Sequence, residues 1–377
     1  MALTRLRGRD LLGRGIDVAI ADGIVDSITS TDAAPDSPYF TPGLVDLQVN
    51  GFGGFDVNGP TVTPEDVAGM VHSLAAVGTT TVVPTVVTAS RDMILRSLAA
   101  IRSTCQIDGD VAAAVPYVHL EGPSLSPVEG PRGAHDTAQM RPPSLAELDA
   151  WQDAAGGLVG MVTLSPHYEE TAEFIAGAVI RGVRVSIGHT HATPGQIRAA
   201  VDAGARFSTH LGNGIQAMLP RHPNAIWTQL ADDRLTAGFI ADGHHLPDDA
   251  LLAMLRAKGF ERSVVVSDSV ALAGAVPGRY EAPVGGAVQL FGDGRLVVAD
   301  TPYLAGAAVP LLGCLSILHR IGCSLDEAIR LTSIQPGVVA GRGGRLAPGE
   351  RADILEIGWS DDGPDLRRAW WGGRPTR

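Results

Sequence analysis

VSIGHTHATPGQIRAAVDAGARFSTHLGN, residues 185–213, decides how the rest of the chain is read. The apolar run Val185–Ile187 stops at Gly188 and His189. Pro194 then stands near the start of a helix that closes at Gly204: proline fits the first turn and glycine suits the end. A second run, Phe207–Thr209, stops at His210. Continuous apolar runs are what strands buried on both faces look like, and strand–helix–strand repetition implies a parallel sheet.

Five further runs break off at polar or ionisable residues in the same way. They are VDLQVN (Gln48, Asn50), YVHLEG (Glu121), VTLSPH (His167), FIADGHH (Asp242, His244, His245) and VVVSDS (Asp268). Helical stretches such as TPEDVAGMVHSLAAVG and PDDALLAMLRAKG alternate with them. Chemistry collected at strand ends marks a (β/α)8 barrel, whose active site lies on the carboxyl-end face. The expected fold is therefore α/β, a TIM-like (β/α)8 barrel.

At 377 residues the chain exceeds a bare barrel of roughly 250. LLGRGIDVAIADGIVDSI reads as two strands about the Asp22-Gly23 turn, and GRLAPGERADILEIG and RRAWWGGRPTR read as short strands. Residues 1–40 and 345–377 are expected to pair into one small β-sandwich domain, leaving 41–344 as the barrel. Residues 281–300, with the Asp293-Gly294 turn, read as an inserted hairpin.

Hydrophobic residues make up 45% and charged residues 19%, enough for a large core. The net charge of −12 argues against nucleic acid or an anionic membrane as partner. It leaves an anionic small molecule open, because a few placed arginines can hold one phosphate. Cys105, Cys314 and Cys323 are odd in number and lack CxxC spacing, as in a reducing compartment. No apolar signal segment opens the chain, and the uncharged stretch Val67–Ser90 divides into helix, glycine turn and strand rather than a membrane span. A cytoplasmic enzyme is expected.

Glu121, His189 and His210 each follow an apolar strand and form the best ligand triple for Zn²⁺ or Fe²⁺, which take imidazole and carboxylate donors. His191, two residues past His189, belongs to the loop. Asp268, at the last barrel strand, can take a proton from a reacting water and deliver it to a leaving nitrogen. The first strand carries the neutral amides Gln48 and Asn50, poor zinc ligands, so one metal is expected. Of the 29 Lys and Arg, only Lys258 is a lysine; it ends a helix, so no carbamylated lysine can bridge two metals.

PGLVDLQVNGFGG, HLEGP, GAH, IGHTHAT, STHLGN, IADGHH and VVSDSVALAG together resemble the N-acetylglucosamine-6-phosphate deacetylase family of the amidohydrolase superfamily. The resemblance implies a distorted barrel, a terminal β-sandwich and a homodimer. It implies metal ligation by Glu121, His189 and His210, acid/base catalysis by Asp268, and polarisation of the acetyl carbonyl by His135. Arg221 and His245 match phosphate-recognising residues, Asn213 is retained beside them, and Gln48 and Asn50 match single-metal members. The chain departs from the family at Gly214-Ile215, at Arg221-His222-Pro223-Asn224, at Ser165-Pro166-His167 and at Leu304-Ala305-Gly306-Ala307.

The expected reaction is metal-dependent deacetylation of an N-acetylated amino sugar, N-acetylglucosamine 6-phosphate first, with one divalent metal per subunit, zinc before iron. The alternatives are another N-acyl hexosamine, an unphosphorylated sugar or an N-acyl amino acid. A third reading is a non-catalytic barrel, against which the intact Glu121, His189, His210 and Asp268 argue.

Overall fold

The computed structural model describes residues 3–376. Eight strands form one parallel sheet in chain order: Leu44–Val49, Thr79–Val87, Val118–Glu121, Val159–Leu164, Arg184–Ile187, Phe207–Ser208, Thr236–Ile240 and Ser263–Val266. The eighth returns to the first: the Asp268 N–H donates to Gln48 O at 3.0 Å, and Ser269 bridges Val49 in parallel. The sheet thus closes into the expected barrel. Every residue of the first two strands is buried, including the polar Asp46 and Gln48 and four threonines, as expected of strands covered on both faces.

The helices form where local chemistry directs them. Thr63 and Asp66 make a reciprocal capping box on Pro64–Ala76, and Thr193 and Gln196 do the same on Pro194–Ala203. Pro64–Ala76 buries Val67, Met70, Val71 and Leu74 in a core shared with Val82 and Val86 of the second strand. Val67–Ser90 is therefore helix, turn and strand, and among the described residues no helix is long and apolar enough to cross a membrane. Lys258 ends the helix Asp248–Lys258 and is buried. Its Nζ donates to Gln229 O (2.9 Å) and Asp232 O (2.7 Å), which keeps it from any role in the site.

Both termini build a separate sheet of seven strands, as expected. Its order is Arg374–Pro375, Gly363–Trp371, Ile354–Ser360, Tyr39–Pro42, Thr4–Arg9, Gly15–Ala21, Ile24–Ser30. Thr4–Arg9 pairs parallel with Tyr39–Pro42, and the other pairings are antiparallel. The strand Tyr39–Pro42 spans the boundary expected at residue 41 and runs through Gly43 straight into the barrel. A Cβ on Gly43 would lie 2.1 Å from Thr80 Oγ1, so only glycine permits that close approach. The insert is larger than the expected hairpin: Gly278–Ala282 adds a third antiparallel strand to Gly286–Leu290 and Leu296–Val298. No residue of Gly278–Ala282 is fully buried, which is why it carried no apolar signal.

Candidate active site

The barrel's period-2 alternation and its strand ends bring the predicted residues together on one face. Glu121 is the last residue of the third strand; His189, His210 and Asp268 lie two residues beyond the fifth, sixth and eighth. Among the described residues only five non-glycines have positive φ, and three of them are His189 (46°), His210 (27°) and Asp268 (51°). Backbone in that region costs energy and persists where surrounding structure over-determines it, commonly at functional sites.

Glu121 Oε1 lies 3.0 Å from His210 Nε2 and 3.3 Å from His189 Nε2, and the two imidazole nitrogens are 3.1 Å apart. His189 Nδ1–H donates to Pro131 O at 2.8 Å, which fixes the ring's orientation and leaves Nε2 facing the cluster. Burial alone would push the Glu121 carboxyl up. Hydrogen bonds and charge from His189 and His210 reverse that and hold it well below the usual carboxylate range. All three donors lie within 4.8 Å of one another and are buried. Two imidazole nitrogens and one carboxylate, converging at this spacing, fit a divalent transition metal with an open coordination position.

Gln48 and Asn50 do not extend this donor set. Gln48 Nε2 donates to Glu121 Oε1 (3.0 Å) and Asp268 Oδ1 (3.1 Å), and Asn50 Nδ2 donates to Asp268 Oδ1 at 2.8 Å. The amides therefore aim the two carboxylates and leave Asp268 Oδ2 free of side-chain bonds. Burial, then the charge of Glu121, raises the Asp268 carboxyl to about 6. His135 Nε2 stands 3.3 Å from His189 Nε2 and 4.0 Å from Glu121 Oε2. Burial, then the neighbouring His189, pushes its imidazole down to about 3, so it is neutral near pH 7.

Near the donors, one set of buried side chains is polar where such barrels usually hold branched apolar ones, while Val45, Leu47, Val83, Met161, Phe207 and Val264 form an apolar cluster. His119 Nε2 meets Thr163 Oγ1 at 2.7 Å, Thr163 Oγ1 meets Thr209 Oγ1 at 2.6 Å, and Thr209 Oγ1 meets Ser186 Oγ at 2.5 Å. Val49 N–H donates to Thr85 Oγ1, which faces His119 Nδ1 at 3.4 Å. This chain of bonds links the first six strands directly below Glu121 and His210.

The site opens into a cavity of about 560 Å³ that also reaches Asn213 and His245. Asn213 Nδ2 donates to His210 O at 3.3 Å, and His245 Nδ1 is 2.7 Å from Asp242 Oδ2. Arg221 is not brought into this cavity: it is exposed between Pro220 and Pro223, just before Asn224 caps the helix Ala225–Ala231. His167 and His191 stack on each other at 4.5 Å and bond Ser165 and Ser126, away from the metal donors. Three lining features escaped sequence reasoning. Glu129 accepts from Tyr303 Oη across the cavity mouth at 2.9 Å, and Gly214 packs on His189. Only the HxE spacing of His119 and Glu121 hinted at the third, the polar floor, because alternate strand residues share a face.

Residues 39–364 match the model of the amidohydrolase family. The chain is 32% identical over 359 residues to the N-acetylgalactosamine-6-phosphate deacetylase of Escherichia coli O157:H7, covering 93% of this chain and 92% of that protein. It is 35% identical over 356 residues to the N-acetylglucosamine-6-phosphate deacetylase of Bos taurus, covering 88% and 82%. Among solved structures it superposes on a mutant N-acetyl-D-glucosamine-6-phosphate deacetylase from Mycobacterium smegmatis in complex with N-acetyl-D-glucosamine-6-phosphate. The TM-score there is 0.86 at 29% identity, over 96% of this chain and 95% of that one. With the Glu–His–His cluster and a carboxylate at the eighth strand in place, the chain belongs to the amidohydrolase family and, within it, to the N-acetylated hexosamine-6-phosphate deacetylases.

Proposed function

We propose that this protein hydrolyses the acetamide of an N-acetylated amino-sugar phosphate, N-acetylglucosamine 6-phosphate first, to the free amine and acetate. The observation that carries the reading is the convergence of Glu121, His189 and His210 within 4.8 Å, beside an Asp268 whose Oδ2 is free. Glu121, His189 and His210 would hold one divalent ion, zinc by donor preference, which supplies Lewis-acid polarisation of water and acyl oxygen.

The chain's own groups supply the rest. Gln48 and Asn50 hold Asp268 through Oδ1, so Oδ2 can accept a proton from the attacking water. Burial and the neighbouring Glu121 raise this carboxyl, which suits it to take up a proton and give it back. Asp268 then returns that proton to the amide nitrogen as the C–N bond breaks. Neutral His135, beside His189 and Glu121, can donate a hydrogen bond to the acyl oxygen as it gains charge. Asn213 and His245 line the same cavity, which supports a role for them in holding the substrate's sugar.

A homodimer completes the proposal. Met218 (86% exposed) and Trp227 (52%) flank Arg221, and their apolar surface supports a second copy covering that loop. The test is acetate release from a panel of N-acetyl sugars and N-acetyl amino acids, with and without a 6-phosphate, on metal-loaded protein. Preferential turnover of a 6-phosphorylated N-acetylhexosamine is expected. Turnover of N-acetyl amino acids alone would redirect the substrate assignment.

A further inference from the structure

Among the described residues, six arginines are at least partly buried: Arg9, Arg132, Arg141, Arg262, Arg330 and Arg351. Five have partners. Arg9 donates to Ser37 O, Arg141 to Glu147 and Arg330 to Glu261, while Arg262 pairs with Asp233 and Arg351 with Asp353. Arg132 alone makes no side-chain hydrogen bond and no ion pair. Withdrawing a guanidinium partly from water without a counter-charge is costly, and the planar fork of N–H donors matches a phosphate or carboxylate.

The place of Arg132 gives this vacancy a meaning. It lies three residues before His135, in the loop whose Pro131 carbonyl holds His189. It lines a side cavity of about 310 Å³, which shares Gly133, Ala134, His135 and Tyr303 with the main cavity. Neither Asn213 nor His245 lines the side cavity. Two carboxylates share the loop and neither pairs with Arg132: Glu129 accepts from Tyr303 Oη, and Asp136, which also lines the side cavity, accepts from Ala138 N–H.

We propose that Arg132 binds an oxyanion of the substrate in this side cavity, making it a specificity residue for acidic N-acetylhexosamines. The oxyanion is either the 6-phosphate or an acidic group on another ring position. The proposal rests on the deacetylase reading above.

The experiment compares metal-loaded wild type, Arg132→Ala and Arg132→Lys on three probes: N-acetylglucosamine, its 6-phosphate, and its 3-O-carboxyalkyl ether. The neutral sugar is read as kcat/KM or, where turnover is slow, as an inhibition constant. Arg132→Ala is expected to raise KM about 10- to 100-fold for the probe whose oxyanion Arg132 holds, the range of a lost charge-assisted hydrogen bond. It is expected to leave the neutral sugar and the metal content unchanged, and Arg132→Lys is expected to restore part of the loss. A loss confined to the 6-phosphate identifies that group as the oxyanion, and a loss confined to the ether identifies the second substituent. Equal effects on all three probes, or none, would overturn the assignment while leaving the deacetylase reading intact. Wild type that hydrolyses none of them removes both.

Discussion

Gly214→Ala perturbs the metal donors without touching one. Gly214 has φ of 58°, and a Cβ there would lie 2.7 Å from His189 Nδ1 and 3.1 Å from its Cε1 and Cγ. Two costs follow. A residue with a Cβ in the left-handed region loses about 1–2 kcal/mol. The ring must also move off the position where Nδ1–H bonds Pro131 O at 2.8 Å, which costs about 1 kcal/mol more. The first cost falls on fold stability, a thermal shift of roughly several degrees. The second falls on the donor geometry, because the Pro131 carbonyl is what aims His189 Nε2. Loss of such a supporting bond typically weakens metal affinity about 10- to 100-fold. Titration of the metal against a chromophoric chelator reads the second cost, and a melt of the metal-free protein reads the first. A Gly214→Ala variant that binds metal within about twofold of wild type would refute the claim that this contact holds His189 in place.

Three other outcomes are expected. Asp268→Asn should keep its metal and lose about 10²–10⁴-fold in turnover, because it removes the proton-transfer group and not a donor; elemental analysis and acetate release together check this. Thr163→Val should destabilise the protein by about 1–3 kcal/mol in denaturant titration, since it leaves His119 Nε2 and the Thr209 hydroxyl short of a partner, and Thr163→Ser should restore most of it. Asp242 is buried, yet its bond with His245 lowers the carboxyl from 3.8 to about 2. A carboxylate depressed in this way adds stability above the unfolded value and loses it as pH falls through the folded one. Asp242→Asn should therefore cost about 2 kcal/mol near neutrality, and the gap between the two melting curves should close as the pH approaches 2.

The barrel was legible because its strands are buried on both faces, so Val264–Val266 reads as an unbroken apolar run and Thr79–Val87 as an uncharged, β-branched one. Glu121, His189, His210 and Asp268 were legible because they interrupt such runs at the same end. Their supports were not. The Pro131 carbonyl that orients His189 is a backbone group, carrying no residue-type signal. Tyr303 meets Glu129 across 174 positions of sequence, and the strand Gly278–Ala282 is too exposed to show periodicity. Nor could the left-handed backbone at His189, His210 and Asp268 be read, since tertiary packing imposes it against local preference. Arg221 matched a motif by order along the chain, but the fold leaves it exposed and outside the cavity.

The most direct test of the central claim is a titration of metal-stripped protein with Zn²⁺, following acetate release from N-acetylglucosamine 6-phosphate. One catalytic site built from Glu121, His189 and His210 predicts no release from the stripped protein and a linear rise that saturates at about one equivalent per chain. Full activity without metal, or a rise that continues to two equivalents, would contradict it.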